Sequence, residues 1–154
     1  MQPHTRHPVF GHLAALVGEW ETEATHQALP GAVIHGRATF AWLGEGISLI
    51  WRARYDHPGI PDSVAILGGD DTGDLRHPEG GCTLHYFDER GVTRLYRLNA
   101  ESGVWRYWRE DPGFSQRFTG AISADGRTID GVAELCRDGL TWERDLPITY
   151  RRVG

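Results

Sequence analysis

Three things are scarce in these 154 residues: cysteine, unbroken apolar sequence and excess positive charge. The two cysteines, Cys82 and Cys136, form no Cys-x-x-Cys and no zinc-type spacing, so reduced thiols within strands are expected rather than a disulfide or a metal centre. The longest apolar stretches, 13–17 and 47–51 among them, fall far short of the roughly 20 residues of a membrane span. The leader Met-Gln-Pro-His-Thr-Arg-His-Pro lacks the apolar centre of a secretory signal, and no lipidation motif stands at either end. Sixteen basic and 21 acidic residues are interspersed and give a formal net charge of -5, leaving no basic stripe to neutralise a phosphate backbone. Neither nucleic acid nor membrane is expected as a partner, and the expected location is cytoplasmic.

Helical periodicity is just as scarce. Phe10, Leu13, Leu16 and Val17 recur at helical spacing, and Gly18 stops the pattern after about two turns. What the chain has in quantity is 20 Gly, 8 Pro, 6 Trp, 5 Tyr and 5 Phe, arranged as short runs of aromatic and β-branched residues between Gly, Asp, Asn and Pro clusters. These breaks predict ten strands near 19–28, 32–43, 46–56, 62–69, 82–88, 92–100, 103–109, 114–122, 127–137 and 140–152. Short links force sequence neighbours to pair antiparallel, and a meander this long exposes two edges unless it closes. The expected fold is all-β, a closed antiparallel up-and-down barrel of about ten strands with one short N-terminal helix. A two-sheet sandwich needs several long connections, and only 68–81 offers one. Residues 1–9 then form a polar leader and 10–154 the barrel domain, a size at which roughly 70% of the unfolded surface is buried without disulfides.

Several residues carry a resemblance. They are the helix running into a Gly-x-Trp strand over 13–20, Trp42-Leu43-Gly44-Glu45-Gly46, Asp56-His57-Pro58, His85-Tyr86-Phe87-Asp88 and the run 113–118. On these the chain resembles the lipocalin-like (calycin) barrels over nearly its whole length, most closely the uncharacterised bacterial branch related in architecture to fatty-acid-binding proteins and nitrobindins. The resemblance implies a barrel that holds a ligand, and it carries no activity over. Fatty-acid-binding proteins hold a carboxylate with Arg-x-Tyr near the end of the last strand. Here the spacing occurs as Arg94-Leu95-Tyr96 in another strand, while the chain ends Thr149-Tyr150-Arg151-Arg152. Nitrobindins bind haem through a late histidine. No residue here matches it, so a haem would need His26, His35 or His85.

Period-two logic points Trp51 and Tyr55 into the barrel, together with Leu49 and Ala53, and leaves Arg52 facing water. A two-residue turn at Asp125-Gly126 sets Arg117 opposite Glu134, either as an exposed pair of small consequence or as a buried polar anchor. The turn at Glu89-Arg90, read likewise, sets His85 opposite Arg94 with Tyr96 on the same face. Pro30-Gly31 sets His26 opposite His35, an incomplete metal site because zinc needs three or four ligands. Asp56, His57, Asp62 and Ser63 supply the residue types of a hydrolase triad without a nucleophile elbow and read as a turn-rich loop. Asp70, Asp71 and Asp74 lack calcium-loop spacing.

These readings converge on a small, largely apolar ligand, one that could carry an acidic group, contacted by Trp20, Trp51, Tyr55, His85, Tyr96, Trp108, Arg117 and Glu134. No cofactor or metal is expected, with haem as an alternative, and a homodimer is allowed. Two further readings stand beside this one. One is a barrel enzyme of isomerase or cyclase type using His85, Tyr96 or Glu134 as acid or base. The other is a filled barrel acting through its surface.

Overall fold

The computed structural model describes residues 9–44, 48–69 and 82–154. A short helix, α1 (Val9–Leu13), tightens into a 3-10 turn (Ala14–Leu16) and enters the sheet at Gly18. Ten strands follow: β1 (Gly18–Ala24), β2 (Ile34–Leu43), β3 (Ser48–Tyr55), β4 (Ser63–Gly69), β5 (Cys82–Asp88), β6 (Thr93–Glu101), β7 (Val104–Arg109), β8 (Ser115–Ile122), β9 (Thr128–Cys136) and β10 (Trp142–Arg152). Each pairs antiparallel with its sequence neighbours, and β1 pairs with β10 to close the barrel. Closure leaves no sheet edge to template association. The Asp70, Asp71 and Asp74 segment lies outside the described residues, as do residues 1–8.

The alternation of buried and exposed residues reports which side chains enter. Trp20, Thr22 and Ala24 on β1 and Leu49, Trp51 and Ala53 on β3 are buried, and the residues between them are not. Helix and 3-10 turn cap one end with Phe10, Leu13 and Leu16, all fully buried. Arg152 ties this cap to the last strand. Its guanidinium lies 4.2 Å over the Trp20 ring and donates to the Val17 carbonyl at 2.7 Å and to those of Ala15 and Gly126. The Trp20 indole in turn donates to Leu16 O at 2.8 Å.

Three registers decide how the sequence expectations fare. Arg117 does face Glu134, although the connection is a four-residue loop between Ser123 and Thr128, because that loop has the same centre as a two-residue turn. His85 faces Leu95, not Arg94; Arg94 faces Tyr86. The connection there has three residues, with Gly91 at φ 81 and Asp88 N bonded to Val92 O, and an odd loop shifts the pairing by one. His26 does not face His35, which sits opposite Glu23; β1 ends at Ala24, and His26 belongs to the β1–β2 loop. Of the triad-type residues Asp56, His57 and Asp62 are loop structure, where Asp62 Oδ1 accepts from Tyr55 N and His57 Nδ1 from Gly59 N, and Ser63 begins β4.

Candidate functional site

The barrel interior is two unlike halves. Toward the capped end, Phe40 stacks on Trp51 with centroids 5.3 Å apart, and both reach Trp105 on β7, at 5.9 and 5.5 Å. Because β7 is not a sheet neighbour of β2 or β3, this aromatic bridge spans the interior and fills it. Tyr107 and Phe118 continue the bridge, stacked at 4.9 Å. Glycines on the adjoining strands make the room: Gly120 pairs with Trp105, and a Cβ there would lie 2.4 Å from Trp105 Nε1, while one on Gly131, on β9 beside β8, would lie 2.7 Å from the Phe118 ring.

Toward the uncapped end a group of inward side chains keeps accessible surface, although Ala24, Ile34 and Leu135 there are buried. Tyr55, Ser63, Tyr86, Tyr107, Gln116, Ala133 and Leu146 are all partly exposed, whereas Leu49, Leu67, Leu84 and Leu98, nearer the cap, are essentially buried. The result is a cup floored by the aromatic bridge and walled by tyrosines. All five tyrosines of the chain belong to this interior. Burial raises the pKa of each: Tyr55 is pushed up to about 12, with the Asp62 charge adding to the shift, and Tyr107 and Tyr150 stand well above the usual value. Beyond burial, Tyr55 adds to the shift of Tyr107, and Tyr55 and Tyr107 add to that of Tyr150. These phenols stay neutral at physiological pH.

At the rim, the Tyr86 hydroxyl donates to Asp88 Oδ2 at 2.8 Å, and Arg90 clamps the same oxygen at 2.7 Å. That guanidinium, helped by Tyr86 and two backbone N–H groups, holds the Asp88 carboxyl down at about 2. Tyr96 donates to Gln116 Oε1 at 3.2 Å, an oxygen shared with Arg109. Across the mouth, Asp145 Oδ1 lies 3.0 Å from His26 Nε2. Asp145 occupies a β-bulge between Arg144, which pairs with Glu134, and Leu146, which pairs with Ala133. Burial raises Tyr96; the cations Arg94 and Arg109 pull it down, and Asp145 pushes it up from a strand four places around the barrel.

Three deep polar atoms lack a hydrogen-bond partner among the described residues: Thr22 Oγ1, Trp51 Nε1 and Trp105 Nε1. An unmade buried bond costs about 1–3 kcal/mol. Trp105 Nε1 is pressed against Gly120. Trp51, with 8% of its surface still accessible, stands where the bridge meets the cup.

Of the residues singled out in the sequence, the fold brings Trp51, Tyr55 and Tyr96 to the cup. Trp20 lies at the capped end, fully buried beneath Arg152 and edge-on to Tyr150. His85, Trp108, Arg117 and Glu134 project from the outer face. There Arg117 Nε meets Glu134 Oε1 at 3.0 Å, and its guanidinium covers Trp142 at 4.0 Å. Sequence reasoning missed Tyr107, Tyr150, Arg109, Gln116 and Asp145. Pro147 inside β10 was the available signal for the last, since proline within a strand marks an edge or a bulge.

Haem, raised by the nitrobindin likeness, needs an iron ligand. His35 and His85 are exposed outside the barrel, and His26 is engaged by Asp145 at the rim. No strand among the described residues turns a histidine inward, so the residues present do not fit histidine ligation in the cup. No cluster of metal-ligating side chains occurs among them either, and no described helix is long and apolar enough to cross a membrane.

Neither a protein-family model nor a curated protein matches the chain. Among solved structures it is similar to Rv2717c from M. tuberculosis, with a TM-score of 0.64 and 12% identity over 97% of this chain and 100% of that one. At that identity the likeness shows a shared fold alone.

Proposed function

We propose that this barrel binds a small, largely apolar molecule in the cup, with a hydrogen-bond acceptor at the ligand's deep end. The observation that carries the reading is the buried indole N–H of Trp51, without a partner among the described residues, on a side chain that borders a partly accessible aromatic chamber. An indole nitrogen can only donate. A carbonyl, ether or sulfonyl oxygen brought against it would supply the acceptor that no described protein group does, while the tyrosine rings cover the apolar body. Arg94 and Arg109 at the rim suit an acidic group on ligands that have one.

Titration with 1-anilinonaphthalene-8-sulfonate, followed by the probe's own emission, tests the reading. Saturable binding is expected, weakened about 2- to 12-fold by Trp51→Phe, which removes one hydrogen bond of about 0.5–1.5 kcal/mol and keeps an aromatic floor. Nonsaturable adsorption, or binding indifferent to both Trp51→Phe and Tyr55→Leu, refutes it.

A further inference from the structure

One cation at the mouth of the cup has no anion of its own. Asp88 is held by Arg90 at 2.7 Å, Asp111 by Arg109 at 2.9 Å and Asp145 by His26 at 3.0 Å. Among the described residues no carboxylate pairs with the half-buried Arg94 guanidinium. Alternation and contacts together place this side chain inside. Arg94 shares the inward face of β6 with Tyr96, Leu98 and Ala100, which are all buried. Its guanidinium lies 5.3 Å over the ring of Phe114, just before β8, and Tyr96 donates to Gln116 Oε1 on β8 at 3.2 Å. Because β7 stands between β6 and β8, both contacts pass over it on the interior side. Gln116 Oε1 also accepts from Arg109 Nη1 at 3.4 Å. With that oxygen taken twice, the amide N–H groups of Gln116 are left as donors without an acceptor among the described residues.

A partly desolvated guanidinium is stabilised by an anion, and its planar fork matches the two oxygens of a carboxylate. Arg109 is not free for that role, since Asp111, the Phe114 carbonyl and Gln116 already occupy its N–H groups. Resting on the reading that the cup takes a small apolar ligand, we propose that Arg94, assisted by the Gln116 amide, holds the carboxylate of a compact aromatic acid whose rings fill the cup below. Depth sets the word compact. Leu98 pairs with Tyr107 of the aromatic bridge and stands four positions from Arg94 on the same strand face. That spacing is about 13 Å along the strand and, at the tilt of such a barrel, about 10 Å of depth. One fused ring system fits that depth. A long unbranched alkyl acid would have to pass the bridge, where Trp51, Trp105, Tyr107 and Phe118 pack ring against ring. The walls also favour an aromatic body, because Tyr96 and Tyr107, edge to face at 5.0 Å, and the Phe114 ring offer it faces and edges to pack on.

Isothermal titration calorimetry at pH 7 with 6-acetyl-2-naphthoate and its uncharged isostere 6-acetyl-2-naphthamide tests the proposal. Both carry the same rings and the same ketone oxygen, and they differ in charge at one end. The wild-type chain is expected to bind the carboxylate at least about 10-fold more tightly than the amide, the lower part of what charge-assisted hydrogen bonds contribute. Arg94→Gln should remove that preference while amide affinity stays within about threefold. Arg94→Lys keeps the charge without the fork and should retain part of the preference. Arg97→Gln, on the outer face of the same strand, should change neither affinity. Hexadecanoate should bind at least about 10-fold more weakly than the naphthoate, because the bridge bars its chain. Equal affinity for carboxylate and amide, or carboxylate binding indifferent to Arg94→Gln, overturns the role of Arg94 and leaves the cup reading intact. Hexadecanoate bound as tightly as the naphthoate overturns the compact class. Failure of both naphthalene ligands to bind overturns the proposal together with the reading beneath it.

Discussion

Gly120→Ala adds one methyl group where the Trp105 indole of the aromatic bridge lies over its cross-strand partner on β8. The new Cβ would sit 2.4 Å from Trp105 Nε1, 2.7 Å from its Cδ1 and 2.9 Å from Phe118 Cε1, so restoring ordinary contact near 3.4 Å requires the indole to retreat by about 1 Å. It has nowhere to go. Trp105 is fully buried, with Phe40, Trp51, Tyr107 and Phe118 centroids all between 5.0 and 5.9 Å away. Overpacking of this kind costs about 1–3 kcal/mol. Replacing glycine also narrows the unfolded ensemble, which contributes about 0.4–1 kcal/mol in the opposite direction. A net loss of about 1–2 kcal/mol is expected. Gly68→Ala is the matched control, because its Cβ would meet only Ser48 Oγ, at 3.6 Å, so the unfolded-state gain should appear unopposed. Urea unfolding followed by far-ultraviolet circular dichroism should separate the two variants by about 2 kcal/mol, with Gly120→Ala the less stable. Equal stabilities would mean that the bridge is loose enough to repack and that the interior is not filled on its capped side.

The five tyrosines give a second test. Their phenol pKa values are all raised by burial, so tyrosinate absorbance at 295 nm should stay low at pH 10–11 in the native protein and develop near the ordinary value in guanidinium chloride. A folded pKa above the unfolded one means stability intact below about pH 10 and lost as pH climbs through the folded values, about 12 for Tyr55; a normal titration in native buffer would contradict the cup. The Arg117/Glu134 pair, with Arg117 41% exposed, should matter little: Glu134→Ala is expected to cost under about 1 kcal/mol in urea unfolding and to leave probe affinity unchanged. Arg152→Met removes a guanidinium bonded to three backbone carbonyls beneath the cap, and thermal unfolding should show a loss of about 2–3 kcal/mol with no change in the cup's tyrosine titration.

Strand existence, number and order were legible in the sequence because they follow from local physics: period-two alternation, turn residues and short links. Even the pairing of Arg117 with Glu134 could be counted from the centre of one loop. Counting fails wherever a loop has an odd residue or a strand carries a bulge, and so His85 moved away from Arg94 and Asp145 went unnoticed. Side-chain alternation decided that Trp51 and Tyr55 face inward, but it could not say which inward groups meet. Trp51 against Trp105 and Tyr107, Phe40 against Trp105, and His26 against Asp145 come together only when β1 pairs with β10 and the sheet closes, which places distant strands across a shared interior. Closure also set the depth of the cup. Whether an inward aromatic lines open space or fills it depends on what stands beside and across from it: the bare backbone of Gly120 on the adjoining strand leaves room for the Trp105 indole, and Phe40 and Trp51 meet that indole from strands that are not its sheet neighbours.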